Sequence, residues 1–288
     1  MNQTLNQFEA SRGKLFSIAY HMLGSVSDAE DTVQEAYLRY HNAAREEIRS
    51  PEAFLSTMVT RLCLNQLHSA RAQRETYLGP WLPEPLITED DTLVAQAQTQ
   101  ESISMAFLVL LERLTPPERA VFLLHEVFDY SFAEVAEIIG KEEATCRQIF
   151  RRAKQFIVAQ RPRFTPSSEQ HTQVLQRFME AVGDGNLDAL TRLLADDVTL
   201  WTDGGGKAKG AATRPVHGAS SVARFIIGSM RNYPAPVEVE ITHANGEPAI
   251  IFRAAGVPVI FIGMTIADQA IQALRVIGNP DKLRSVPQ

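Results

Sequence analysis

The sequence predicts a multidomain chain of two all-α modules followed by an α+β unit with a curved sheet. Three observations carry this. Helical periodicity runs from Phe8 to about Glu75 and again from about Asp91 to Pro162; the proline-rich "YLGPWLPEPLITEDD" separates the two blocks; and after "RFTPSSEQ" the order changes to helices followed by strands. With 288 residues, 45% of them hydrophobic, the chain has material for two or three cores.

In the first block, Ser27 or Asp28 is placed to cap "SDAEDTVQEAYLRYH". Ala29, Val33, Ala36, Tyr37 and Tyr40 share one helical face, and Asp28, Asp31, Gln34 and Glu35 share another. On spacing alone that acidic stripe reads as a solvated helix face. The next helix has Ser50 as its cap and Pro51 in its first turn, with Phe54, Leu55, Met58, Leu62 and Leu67 on its core side. Arg61, Asn65, His68, Arg71 and Arg74 form a basic, hydrogen-bonding side. Such a side suits a nucleic-acid surface and equally suits the dipole at a helix end.

In the second block, "SFAEVAEIIGKEEATCRQIFRRAKQFI" has helix-turn-helix punctuation: a short amphipathic helix with small Ala136 at the crossing, Gly140 at the turn, then a longer helix. Cys146, Phe150, Ala153 and Ile157 supply the longer helix's buried stripe, which leaves Arg147, Gln148, Arg151, Arg152 and Lys154 to project. From Lys141 to Arg163 seven basic residues face two acids, a local +5 in a chain of net charge −6. Guanidiniums on a recognition helix can fork onto guanine edges or phosphates. The chain as a whole does not attract nucleic acid, so any DNA binding has to be local.

The third unit reads as two helices in "HTQVLQRFMEAVGDGNLDALTRLLADD", a strand in "VTLWTDG", a helix in "ASSVARFIIGSM", and strands and turns to the end. Its loop "DGGGK", Asp203 to Lys207, suggests a phosphate cradle. A nucleotide loop, however, needs two separated glycines and a hydroxyl after the lysine, whereas Ala208 follows Lys207 and no helix begins there. The loop is therefore expected to be a turn. Cys63 and Cys146, in separate helical patterns, are expected to be buried thiols, and the absence of CxxC, HExxH and GxSxG removes the commonest metal and hydrolase signatures. There is no long apolar leader and no run long enough to cross a bilayer, so a cytoplasmic protein with no membrane partner is expected.

Taken together, "DAEDTVQEAYLRY", "PEAFLSTMVTRLCLNQLHSARAQRE" and "LTPPERAVFLLHEVFDYSFAEVAEIIGKEEATCRQIFRRAK" resemble regions 2 and 4 of a bacterial sigma factor of the extracytoplasmic-function type. Three short motifs mark the subgroup that carries a fused SnoaL-like domain: "WLPEP" (Trp81, Pro83, Glu84, Pro85), "DGGGK" (Asp203, Gly204, Gly205, Gly206, Lys207) and "NPDKL" (Asn279, Pro280, Asp281, Lys282, Leu283). The resemblance implies a region 2 helical domain over 1–76, a linker over 77–100, a region 4 helix-turn-helix domain over 101–163 and a SnoaL-like cone over 168–288. It also implies that Asp28, Asp31, Gln34 and Glu35 face the β′ clamp helices of core RNA polymerase, whose β and β′ subunits and promoter DNA would be the partners. The segment from about Asn42 to Phe54, together with Arg61, Asn65, His68, Arg71 and Arg74, would meet the minus-ten element. The helix bearing Arg147, Gln148, Arg151, Arg152 and Lys154 would dock on the minus-thirty-five duplex. Cys146 stands where the family often has valine, Phe54 where tryptophan is frequent, and Asn65 and Gln66 where a charged pair is common.

By this reading the protein is not an enzyme and needs neither cofactor nor metal. The fused domain is expected to regulate the sigma modules through contact of DGGGK with WLPEP, with Glu84 paired to Lys207. Two other readings stay open. SnoaL-like folds include cyclases, and steroid isomerases are related to them, so a small ligand or a catalytic group among Asp203, His217 and Tyr233 is the enzymatic alternative. A helix-turn-helix regulator that binds duplex DNA alone is the other.

Overall fold

The computed structural model describes residues 2–43, 48, 50–75, 77–88, 104–160, 168–231 and 237–287. The chain forms two compact units, one of residues 1–75 with 90–161, the other of 76–89 with 162–288. The linker stretch 76–89 thus belongs to the same unit as the C-terminal domain.

The first unit opens with α1 (Asn2–Leu23), α2 (Val26–Asn42) and α3 (Pro51–Glu75), packed on one another around Leu15, Ala19, Met22, Val33, Ala36, Leu55, Val59 and Cys63. Ser25, rather than Ser27 or Asp28, caps α2, its Oγ accepting from the Asp28 N–H at 3.1 Å. The reason is Val26: it is buried, so the helix begins one residue before the polar run. Pro51 opens α3, and the Ser50 Oγ accepts from the Ala53 N–H, as expected.

The same unit continues through α4 (Met105–Leu111), α5 (Pro116–Phe122), a π-helical turn over Leu123–Val127, α6 (Phe132–Ile139) and α7 (Glu143–Gln160). Ser131 and Glu134 form a capping box at the start of α6. Gly140, at φ 67°, takes the left-handed turn into α7. Cys146, Ala153 and Ile157 are the buried stripe of α7, and Cys146 packs with Val121, Leu124, Val135 and Ile138. Phe150, expected in that stripe, is half-buried in a ring cluster with Phe122, His125 and Phe132.

The second unit contains α8 (Ser168–Gly183), α9 (Leu187–Leu193), α10 (Ala219–Arg231) and a six-stranded sheet. The strands are β1 (Leu194–Asp203), β2 (Val216–His217), β3 (Glu238–Ala244), β4 (Glu247–Ala254), β5 (Val257–Ala267) and β6 (Ala270–Ile277), in the order β2-β1-β6-β5-β4-β3. Among the described residues only the β1–β6 pair is parallel. Alternate residues Val198, Leu200, Ile250, Phe252, Ile262, Met264 and Leu274 form one core with Leu175, Phe178, Val222 and Ile226 of the helices. Register shifts interrupt three of the five strand pairs, and such irregularities bend strands, giving the curved sheet expected from the sequence.

Candidate functional site

Four sets of residues are candidates, three on the first unit and one on the second. On α2, Asp28, Asp31, Gln34 and Glu35 are all exposed, while Ala29, Val33 and Ala36 fix the helix by their burial. Glu35 is tied to Arg39 at 2.7 Å. Leu38, which sequence reasoning passed over, is 49% exposed and follows Asp31 by seven positions, so it lies on the same stripe. An apolar residue at heptad spacing on a polar face was the available signal.

On α3, Arg61, Asn65 and His68 are exposed; the side chains of Arg71 and Arg74 and most of the segment between Asn42 and Ser50 lie outside the described residues. Arg61 is engaged by the helix-turn-helix: its Nε donates to the Ile138 carbonyl at 2.9 Å and its Nη2 to the Glu137 carbonyl at 3.0 Å. These belong to the last turn of α6, whose carbonyls have no partner within their own helix. A cavity of about 650 Å³ adjoins this contact, lined by Phe54, Met58, Arg61 and Asn65 on one side and Tyr130 and Glu137 on the other.

On α7 the five predicted residues are exposed but not equivalent. Arg147 is paired with Glu143 and lies 4.7 Å from the centroid of the Phe132 ring. Lys154 is held by Glu126 at 2.9 Å, a residue of the π-helical turn. Gln148, Arg151 and Arg152 make no ion pair or hydrogen bond among the described residues and are the groups most available to a ligand.

In the second unit, the three short motifs converge on one buried carboxylate. Asp203, fully buried at the end of β1, accepts from the Leu82 N–H at 2.8 Å, from Lys282 Nζ at 2.7 Å and from the Tyr77 hydroxyl. Lys282 also donates to the Leu82 carbonyl, and its ammonium lies 3.8 Å from the centroid of the Trp81 ring. Asn279 donates to the Tyr77 hydroxyl at 2.9 Å, and burial together with Asp203 pushes that phenol's pKa up. Pro83, Glu84, Pro85 and Leu283 are buried as well, whereas Pro280 is exposed. Tyr77 lies just before the WLPEP stretch and was missed because a lone tyrosine in a linker carries no spacing signal.

The expected pairing of Lys207 with Glu84 does not form. Lys207 is bound to Asp281 on the exposed rim, while Glu84 is buried with its own contacts. The DGGGK turn brings its backbone against NPDKL: at Gly205, φ 57°, an added Cβ would collide with the Asn279 carboxamide. The far end of the linker is held too. Leu86 and Asn245 exchange hydrogen bonds at 3.1 and 2.8 Å, and the Thr88 N–H donates to the His243 carbonyl at 2.9 Å.

The residues weighed for catalysis do not come together. Asp203 is consumed by the linker network, His217 is exposed beside Thr199 at 3.1 Å, and Tyr233 lies outside the described residues. Cys63 and Cys146 are buried free thiols, with pKa values pushed up by that burial. Among the described residues no three His, Cys, Asp or Glu side chains are grouped to hold a metal, and no helix is long and apolar enough to cross a membrane.

Residues 7–73 match the family model for Sigma-70 region 2, and residues 104–157 match that for Sigma-70, region 4. The chain is 40% identical to the ECF RNA polymerase sigma factor SigJ of Mycobacterium tuberculosis, covering 98% of this chain and 94% of that protein. It is 30% identical to a probable ECF RNA polymerase sigma factor, SigI, of the same species, over 96% of this chain and 93% of the relative. The crystal structure of Mycobacterium tuberculosis SigJ superimposes with a TM-score of 0.79 at 37% identity, covering 98% of this chain and 99% of that one.

Proposed function

The chain belongs to the ECF RNA polymerase sigma factors, and from that premise we propose how its surfaces divide the work of an alternative sigma factor that directs transcription initiation. The acidic stripe of α2, Asp28, Asp31, Gln34 and Glu35 with Leu38 added, is the surface for core RNA polymerase and its β′ clamp helices. Arg61, Asn65, His68, Arg71 and Arg74 of α3 take the minus-ten element. Arg147, Gln148, Arg151, Arg152 and Lys154 of α7 take the minus-thirty-five duplex. The observation that carries this reading is the segregation of charge within one unit: an exposed acidic helix and an exposed basic one, in a chain of net charge −6.

Such a protein acts by binding energy rather than by bond chemistry. A bidentate guanidinium contact to a guanine edge is worth about 1–3 kcal/mol, and stacking of an unpaired base about 1–3 kcal/mol. Phosphate contacts add an attraction that salt weakens.

The C-terminal domain regulates in cis. Residues 77–88 lie between the two sigma modules in sequence, and the Asp203–Lys282 network holds them, so the domain takes up this part of the connection between region 2 and region 4. This is a regulator built into the polypeptide.

Mixing the purified chain with core polymerase and promoter fragments tests the main assignment. Core-dependent permanganate reactivity at the minus-ten element is the expected result. A shift of duplex DNA without core, and no open complex with it, would instead favour the lone helix-turn-helix regulator.

A further inference from the structure

Arg275 lies on the sheet face turned away from the helices, and we infer that its buried guanidinium anchors a site for the carboxylate of a small monoanionic ligand, held beneath the WLPEP segment. The inference goes beyond the division of surfaces proposed above and does not depend on it.

Strand register defines the place. Leu200, Leu274, Ile262 and Ile250 belong to the core shared with the helices, so their neighbours one step along point to the outer face. There Trp201, Arg275, Gly263, Ala249 and Thr242 are successive cross-strand partners, running from β1 to β3. The row falls away to glycine and alanine at its centre. Two residues along, Phe261 and Ile251 bound it on one side, and Thr265 and Glu247 on the other. Among the described residues, a Cβ built at Gly263 would meet the Phe261 ring alone within 4 Å, at 3.4 and 3.7 Å. A gap about one side chain wide therefore lies over the backbone beside Arg275.

The linker roofs this gap. Leu82 is bound to Asp203, which shares the outward parity of Trp201 and closes β1 in line with Ile277 and Phe261. Leu86 is bound to Asn245 in the β3–β4 turn, at the other end of the sheet and on its far edge. The segment between these anchors thus crosses the outer face on its diagonal, over the row that holds Gly263, and Pro83, Glu84 and Pro85 are buried in doing so.

The chemistry of Arg275 identifies the guest. The residue is 7% exposed; its Nη1 donates to Thr265 Oγ1 at 2.7 Å, and its Nε is buried without a partner. Among the described residues Thr265 is its one hydrogen-bond acceptor, and no acid forms an ion pair with it. Burial lowers its pKa to about 10, with the charge of Glu247 opposing that shift, so the group is a cation at neutral pH. A buried cation with unmet donors is costly until an anion completes it. The edge formed by Nε and Nη2 offers two parallel N–H groups, the arrangement that a carboxylate accepts bidentately. One guanidinium matches one negative charge, and Glu247 nearby disfavours a second. A short hydrocarbon tail would rest on Gly263, Ala249 and the Phe261 ring.

The test is a calorimetric titration of the full chain with propionate near neutral pH, at constant ionic strength. Saturable binding with a dissociation constant of about 1–10 mM is expected, the range open to so small a ligand. Gly263→Ala places a methyl in ordinary contact with Phe261 and fills the gap, and Arg275→Met removes the charge. Each should weaken binding at least tenfold, while urea unfolding followed by tryptophan fluorescence shows which variant keeps the parent's fold. At ten times the dissociation constant, propionate should slow proteolysis within residues 77–88 about tenfold. No saturable binding, or binding that a folded variant leaves unchanged, overturns the site. Propionamide binding as well as propionate, or inorganic phosphate binding more tightly, overturns the carboxylate assignment. Unchanged proteolysis of the liganded chain overturns the roof.

Discussion

Lys282 Nζ lies 2.7 Å from Asp203 Oδ2, with the lysine side chain 8% exposed and the aspartate not at all. A buried pair is costly to break because the surviving partner is left as an uncompensated charge. Lys282→Ala should therefore destabilise the second unit by about 3–5 kcal/mol. Both tryptophans, Trp81 and Trp201, belong to that unit, so their fluorescence in a urea titration reports its unfolding selectively. The same variant should expose residues 77–88 to protease at concentrations that leave the parent intact. If those residues stayed protected, the network would not be what holds the linker.

A glycine comparison isolates the packing of DGGGK on NPDKL. Gly205 and Gly210 both have positive φ, but a Cβ at Gly205 would strike Asn279, whereas one at Gly210 meets nothing. Gly210→Ala should cost about 1 kcal/mol, and Gly205→Ala roughly 2–3 kcal/mol, by the same tryptophan readout. Equal losses would mean that the turn yields.

The basic residues of α7 should separate by their present partners. Arg151→Ala and Arg152→Ala should each reduce the salt dependence of minus-thirty-five duplex binding by about one unit of slope, since each removes one phosphate neutraliser. Arg147→Ala and Lys154→Ala should have smaller effects on the slope, because those charges are already paired with Glu143 and Glu126. Holoenzyme binding measured across a series of salt concentrations gives all four.

On the acidic helix, Asp31→Lys and Leu38→Asp should each weaken capture of core polymerase at least tenfold while leaving helix content unchanged, because both positions are exposed. Competition against the parent for limiting core decides it. Retained affinity in both would move the polymerase surface elsewhere.

The pH response of the second unit follows from two opposed groups. Burial pushes Glu247 up to about 7 from an ordinary 4.5, partly offset by Arg275. The folded form therefore keeps a proton that the unfolded chain releases, and this contribution is lost as pH rises from 4.5 to 7. Burial likewise lowers His171 to about 4 from 6.5, with His243 adding to it, so its contribution is lost as pH falls from 6.5 to 4. The slopes cancel between 4.5 and 6.5. Glu247→Gln should turn that flat profile into one rising with pH, and should add about 1–2 kcal/mol at pH 8. A flat profile in the variant would show that these two groups do not govern the response.

Much of this was legible beforehand. Apolar spacing located α2, α3, α6 and α7, Gly140 marked the turn between the last two, and local charge separated the acidic from the basic face. The long-range partners were not legible. Spacing along the chain carries no information about which carboxylate a lysine reaches, and so Glu84 was paired with Lys207 on proximity of motif alone. Burial decides the outcome: Asp203 could be enclosed only with Lys282 beside it, which left Lys207 at the rim with Asp281. Arg61 shows the same limit. Its residue type and helix face pointed to nucleic acid, but nothing local reveals that the carbonyls of α6 hold it.

Leu82 and Lys282 are 200 positions apart, although one donates to the other's carbonyl. At about 5–20 residues per second on the ribosome, the lysine is made roughly 10–40 s after the leucine. Helices α3 and α7 leave the exit tunnel in that interval, while residues 77–88 between them have nothing to grip. Each newly made molecule thus passes through a juvenile stage with residues 77–88 unheld, and chains truncated late in synthesis would keep that stage for life.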